Sequence, residues 1–388
     1  MDLLFLFLAF IFAVVFLIGR MLEKIRVPWI FSALLVGAAL AFYNPFELVT
    51  SSQSFSILAQ LGMYFLLFVI GFEIDLTKMK KLGKFILKST VAVIFLEAFF
   101  GTLVVHFIFG YAWFISFIVA ISFATVGEAI LIPILDEFKI INTKLGQSII
   151  GIGTLDDILE IIILIVVIII AGSTIQEPVS IGLTIGSLFI LFGLAYGLTR
   201  FSKTGKKFKF TNIEMLFLFV LFIFFLFLGV GELAQGGAIA ALLAGIALKT
   251  FIPNKRLKTI ESEVKTICYG FFAPLFFVWV GMSININYII AYPLLIVLVV
   301  LVSAFAKLIG GYIFGKKELG KKQAILLGIG LSARFSTSII IVKILFDNGL
   351  IDNNLFSIII TSSIVFTFLV PIIFSNLLVK WNMPKAIE

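Results

Sequence analysis

Residues 151–170 read GIGTLDDILEIIILIVVIII, which places Asp156, Asp157 and Glu160 in a run otherwise apolar enough to sit in lipid. At 1.5 Å per residue the stretch is about as long as a ~30 Å hydrocarbon core is thick. An ionised side chain at that depth costs roughly 3 kcal/mol or more, so such groups face a pathway or a partner. The surrounding chain has the same character. Its 388 residues are 62% hydrophobic and 13% charged, with a mean hydropathy of +1.23. Soluble domains carry about a quarter charged residues, and none could hide this much apolar surface. The composition implies an all-α polytopic membrane protein.

The net charge of +8 then reads as loop charge that sets orientation, not as a nucleic-acid footprint. Cys268, the lone cysteine, can form no internal disulfide and fits no metal-ligand spacing. The opening MDLLFLFL lacks a basic n-region, and no small-residue cleavage site follows, so it reads as a retained helix.

Dividing the apolar runs at polar and turn-rich breaks predicts about 13 transmembrane helices: 3–19, 28–43, 54–72, 88–109, 113–136, 146–171, 178–200, 211–230, 236–249, 267–284, 288–315, 321–346 and 354–379. Lysine and arginine test the division. Of the 29 basic residues, 26 follow odd-numbered spans or close the chain, and the loops after even-numbered spans hold none. By the positive-inside rule the N-terminus lies outside and the C-terminus in the cytoplasm.

Lys307, Arg334 and Lys343 are the cations left within spans. Lys343 lies near the outer end of its span and is expected to snorkel to the interface. Lys307 and Arg334 are deeper. Counting along the helices puts Asp156 and Asp157 ~15 Å deep, with Glu128, Lys307 and Arg334 at similar depth. At 100° per residue Asp156, Asp157 and Glu160 share one helical arc with Gly153 at its centre. Glu97 is also deep, and its residue type and spacing assign it no role.

Two spans look interrupted. The fifth, WFISFIVAISFATVGEAILIPILDEF, collects small and polar residues from Ser122 through Thr125 to Glu128, with Pro133 a turn later. The twelfth, KKQAILLGIGLSARFSTSIIIVKILF, is broken by glycines and serines around Arg334. Unwound backbone at membrane depth survives only where it lines a cavity or is buried in protein. Interrupted segments in corresponding positions point to a transporter site, and the odd separation of these two spans makes them antiparallel, as inverted-topology repeats require.

GFEIDL at 71–76, GIGTLDDI at 151–158, AALLAGIAL at 240–248 and FFVWVGMSIN at 276–285, with the intramembrane Lys307, resemble in order the motifs of the monovalent cation:proton antiporter-2 family, sodium/proton antiporters with the NhaA/NapA fold. The resemblance implies two broken crossing helices, and a core that moves against a dimerisation scaffold. On this chain the scaffold would be 1–83 and 210–287, the core 84–172 and 288–388, and 173–209 a linker helix. Asp157 would coordinate Na⁺ and carry a proton, with Asp156 and Thr125 beside it, and Lys307 would pair with Asp156. Glu128 and Glu160 depart from the family pattern. With Arg334 and Ser122 they would act as modulators at the broken helices and bear on ion choice and charge stoichiometry.

The implied activity is electrogenic exchange of internal Na⁺ or Li⁺ for external H⁺ by alternating access. It would take place in the plasma membrane of a bacterium or archaeon, by a homodimer in the lipid bilayer that uses no cofactor. Regulation through a nucleotide-binding domain after the last span is not expected. K⁺/H⁺ exchange is the nearest alternative, and a passive channel or an anion uniporter using Lys307 and Arg334 is further off. An enzyme would need a nucleophile–base set or a metal cluster, and the single histidine, His106, stands alone as an interfacial or packing residue.

Overall fold

The structure, a computed structural model, describes residues 2–25, 27–73, 83–127, 131–174, 181–200, 212–233, 236–252, 254–334 and 336–381. The regular structure among those residues is all helical, with no strand among them. This follows from the solvent, because in lipid every backbone polar group must find its partner within the segment.

We label the helices α1 (Asp2–Lys24), α2 (Phe31–Phe42), α3 (Gln53–Glu73), α4 (Lys84–Phe109), α5 (Trp113–Phe123), α6 (Ile132–Glu137), α7 (Lys144–Thr174) and α8 (Ile181–Arg200). They continue as α9 (Ile213–Glu232), α10 (Gly237–Phe251), α11 (Asn254–Ile267), α12 (Ala273–Met282), α13 (Pro293–Leu319), α14 (Lys321–Gly330), α15 (Ser336–Asp347) and α16 (Asn353–Lys380). Each apolar segment of the sequence carries helix. Among the described residues, seven helices are long and apolar enough to cross a membrane: α1, α3, α4, α9, α13, α16 and the helix that runs Arg256–Met282. The protein is a multi-pass membrane protein.

Three segments differ in detail from continuous spans. The fifth is two helices, α5 and α6, and the twelfth is two, α14 and α15. The tenth begins earlier than expected. The basic stretch before it, read as a loop, is the helix α11, which runs through a π-helical turn at Cys268–Phe272 into α12. Ile260 and Val264 are buried on one face of α11 while Lys258 and Glu263 are exposed on the other. That amphipathic pattern suits a helix at a surface, where hydropathy alone reads only polarity.

The chain forms two compact units. The first comprises Met1–Ala13, Ala33–Ile74 and Ile168–Met282, and the second Val14–Ser32, Asp75–Val167 and Ser283–Glu388. Residues 14–32 group with the second unit and α8 with the first.

The first unit is packed through small residues and phenylalanine. A Cβ on Gly37 would lie 2.2 Å from the Val278 carbonyl oxygen and 2.9 Å from the Gly281 Cα, so α2 and α12 meet backbone to backbone. Lipid is as apolar as leucine, so helices in it associate through close packing and hydrogen bonds rather than a hydrophobic drive. Elsewhere in the unit Phe65 stacks on Phe272 with ring centroids 4.5 Å apart.

In the second unit α4, α5, α13, α14 and α16 pack together. Gly311 of α13 and Gly328 of α14 approach so closely that a Cβ on the first would sit 2.7 Å from the Cα of the second. The tight turn between these helices at Gly320, with φ of +80°, requires a residue without a side chain. Close approach of α13 and α14 carries Lys307 toward the break between α14 and α15.

Candidate functional site

Residues 124–127, between α5 and α6, are not helical, and Ala124, Thr125, Val126 and Gly127 are all buried. The Ala124 N–H still donates to the Ala120 carbonyl at 2.9 Å, but the helical bonding stops there, and backbone groups left unpaired away from water are costly. Partners come from three other elements. Lys307 of α13 donates from Nζ to the Ala124 carbonyl at 2.6 Å. Arg334 donates from Nη1 to the Thr125 carbonyl. The Val126 N–H donates to Asp156 Oδ2 of α7 at 2.5 Å, and the Gly127 N–H donates to the Ala333 carbonyl at 2.8 Å. The two breaks are thereby hydrogen-bonded to each other.

The signs of these charges follow from helix direction. Both α5 and α14 end at their breaks, so two helix C-termini, each equivalent to about half a negative charge, point into the same region. Cations at helix C-termini bond the last carbonyls and offset the dipole. Lys307 and Arg334 do both.

Two buried cations need counter-charge, and Glu97 of α4 provides it. Its Oε2 lies 3.1 Å from Lys307 Nζ, and its Oε1 accepts from Arg334 Nη2 and from the Ser303 hydroxyl. Arg334 Nη2 also donates to Ser303 Oγ at 2.6 Å. The guanidinium carbon sits 4.6 Å from the ring centroid of Phe123 and 5.1 Å from that of Phe366, so aromatic faces cover the charge. Glu97 is 2% exposed, Glu160 4%, and Asp156, Lys307 and Arg334 0%. Asp156 and Glu160 add to the negative field at Arg334. An apolar cavity of about 40 Å³ reaches Glu97 and Ser303 between Val104, Val119, Val302 and Ile359. The cluster is thus walled on that side by hydrocarbon.

The residues singled out from sequence are therefore partly gathered at one place. Asp156, Thr125, Lys307 and Arg334 meet at the break. Ser122 is buried one turn before it, with its hydroxyl donating to the Ile118 carbonyl at 2.6 Å. Glu128 lies outside the described residues, and so does the side chain of Asp157. Lys343 corrects its expectation. It is 1% exposed and pairs with Asp347 one turn later instead of reaching the interface. His106 packs on Trp113 with ring centres 3.8 Å apart, and its Nδ1 is 2.6 Å from the Tyr111 carbonyl oxygen.

Glu97 and Ser303 were not assigned from the sequence, although each carried a signal. Glu97 is a lone acid in the apolar run VAVIFLEAFFGTLVV, and Ser303 stands one turn before Lys307 on α13, on the same helical face.

Comparison with known proteins agrees with this architecture. The Na⁺/H⁺ antiporter of Enterococcus hirae is 28% identical over 370 residues, covering 90% of this chain and 92% of that protein. The probable Na⁺/H⁺ antiporter 3 of Methanocaldococcus jannaschii is 26% identical over 393 residues, covering 97% of both. Among solved structures, the sodium proton antiporter MjNhaP1 of M. jannaschii at pH 8 has the same fold. Its TM-score is 0.70 at 17% identity, over 97% of this chain and 99% of that one. The model of the transmembrane sodium/hydrogen exchanger family matches residues 10–380, nearly the whole chain. With buried acids and bases gathered at a broken helix, and a match of that extent, this chain belongs to the sodium/hydrogen exchanger family.

Proposed function

We propose that this protein is a secondary antiporter that exchanges internal Na⁺ or Li⁺ for external H⁺. The observation that carries the proposal is the carboxylate of Asp156, buried against the unwound backbone at Val126 beside Thr125, with Asp157 next in sequence. A hard monovalent cation wants several oxygens, and carboxylates, a hydroxyl and unwound carbonyls can replace its water. A proton competes for the same carboxylates. Burial and neighbouring acids favour the protonated form, and nearby cations favour the ionised one. These acids interact, so their titration belongs to the group.

In this reading Asp157 is the principal cation ligand and proton carrier, with Asp156 and Thr125 completing the site. Ion-loaded and proton-loaded forms each pass between inward-open and outward-open states, and the empty charged site does not. Exchange is then obligatory. The paired aspartates support an electrogenic cycle, two protons inward for each Na⁺ outward. The charge alternation along the sequence supports thirteen spans with the N-terminus outside, in the plasma membrane of a bacterium or archaeon. The antiparallel broken spans support inverted repeats of the NhaA/NapA kind, with their broken helices crossing. Residues 84–172 and 288–388 would form the transport core, 1–83 and 210–287 a homodimeric scaffold, and 173–209 the linker helix between them.

The test uses purified protein in liposomes with a pH gradient and an internal pH dye, to which NaCl, LiCl, KCl or choline chloride is added. Dissipation by Na⁺ and Li⁺ that changes when membrane potential is clamped is the expected result. Asp157→Asn should abolish it. Exchange retained in that variant overturns the site, and an equal response to K⁺ overturns the ion selectivity.

A further inference from the structure

We infer that Glu97 is a positioning residue that holds Lys307 and Arg334 on the broken backbone and so limits their competition with Na⁺ for the aspartates. The inference rests on the antiporter reading above for the identity of the site.

Lys307 and Arg334 are fully buried and each bonds a carbonyl of the break, yet a carbonyl does not neutralise a cation. Glu97 contacts both, through separate oxygens, from a helix that is itself unbroken through that depth. Ser303 braces the pair by donating to Glu97 and accepting from Arg334. From α7, Asp156 also acts on both cations and Glu160 on Arg334. Both cations therefore divide their attraction between Glu97 on one side and the α7 acids on the other. Where carboxylates are the shared resource, any ammonium or guanidinium drawn to them displaces Na⁺. With Glu97 neutral, that attraction turns wholly toward α7.

The consequence is specific. Glu97→Gln should raise the apparent KM for Na⁺ by about tenfold or more while kcat changes less, because a competing intramolecular cation weakens ground-state binding. Glu97→Asp, which keeps the charge but shortens the reach, should fall between it and wild type. In Glu97→Gln/Lys307→Gln one of the released cations is gone, and KM should drop at least about threefold from the single variant. A structural role alone predicts the reverse, since a second buried lesion would add to the first.

Each protein would be measured in proteoliposomes and, separately, by Na⁺-dependent thermal stabilisation in detergent. The second readout reports occupancy of the carboxylates even if the wild type exchanges no Na⁺ for H⁺. That outcome would sink the antiporter reading and leave the role of Glu97 measurable. Folded Glu97→Gln with a KM and Na⁺ stabilisation within twofold of wild type overturns the inference, as does a double variant more impaired than the single. If Glu97→Gln does not fold, an unchanged KM in Glu97→Asp overturns it.

Discussion

The two units of this protein share a solvent and a composition, yet their interiors are held differently. In the first, α2 meets α12 at Gly37 and Gly281, and phenylalanines such as Phe65 and Phe272 stack on one another. In the second, the centre is a set of buried ions, Glu97, Asp156, Glu160, Lys307 and Arg334, arranged around an unwound backbone. Where intact helices pack closely, their backbone groups are bonded within each helix and need no charged side chain. A broken helix exposes donors and acceptors that charged side chains must satisfy. Those charges are what an ion and a proton can compete for. The difference marks which unit is built to do chemistry.

Several substitutions would break or sharpen that contrast. The largest effect is expected from Arg334→Met. It leaves the Thr125 carbonyl without its donor and Glu97 with Lys307 as its remaining described cation, and removing one member of a buried ion pair costs about 3–5 kcal/mol. Thermal unfolding in detergent would measure it, and a loss under about 1 kcal/mol would mean the break is held by its other partners.

Gly37→Leu probes the other interior. A side chain at that position meets the Val278 carbonyl and the Gly281 Cα at distances no real Cβ adopts, so α2 and α12 must separate. Overpacking of this kind costs about 1–3 kcal/mol. The same unfolding assay should show it, and Na⁺-dependent stabilisation should survive in whatever fraction folds. Loss of Na⁺ response without loss of stability would erase the distinction between the units.

Ser303→Ala removes a hydrogen bond to each of Glu97 and Arg334 while leaving the ions in place. About 1–2 kcal/mol is expected, with a smaller rise in KM for Na⁺ than Glu97→Gln produces. A KM change equal to that of Glu97→Gln would place the serine, not the carboxylate, in control of the two cations.

The smallest effect belongs to Tyr111, between α4 and α5 and away from both interiors. Its hydroxyl accepts from the Asp352 N–H at 2.8 Å, and burial pushes its phenol up to about 12. Because the folded value lies above the ordinary one near 10, its contribution is complete below about pH 10 and is lost as pH rises toward 12. Tyr111→Phe should cost about 1 kcal/mol at neutral pH and flatten that alkaline loss, read from unfolding midpoints across pH.

The positions of the helices, their breaks at Ala124–Gly127 and at Leu331–Arg334, and the common depth of Asp156, Lys307 and Arg334 were legible along the chain. Lipid imposes one rule on every spanning residue, so an exception to that rule stands out without any knowledge of neighbours. The surface helix α11 was harder to see, because its apolar face is narrow and its charges resemble those of a loop.

Partners are a different matter. The family resemblance paired Lys307 with Asp156, residue type and spacing assigned Glu97 nothing, and Lys343 was expected at the interface. The folded chain sets Glu97 against Lys307 and Arg334, and buries Lys343 beside Asp347. Glu97 lies 206 residues from Ser303 and 237 from Arg334, so only the packing of α4 against α13, and the close approach of α13 to α14, brings these groups within bonding distance. Depth in the membrane is a property of one helix and can be counted from its sequence. Which carboxylate a buried cation finds depends on how several helices are rotated about their axes, and that is decided by tertiary packing.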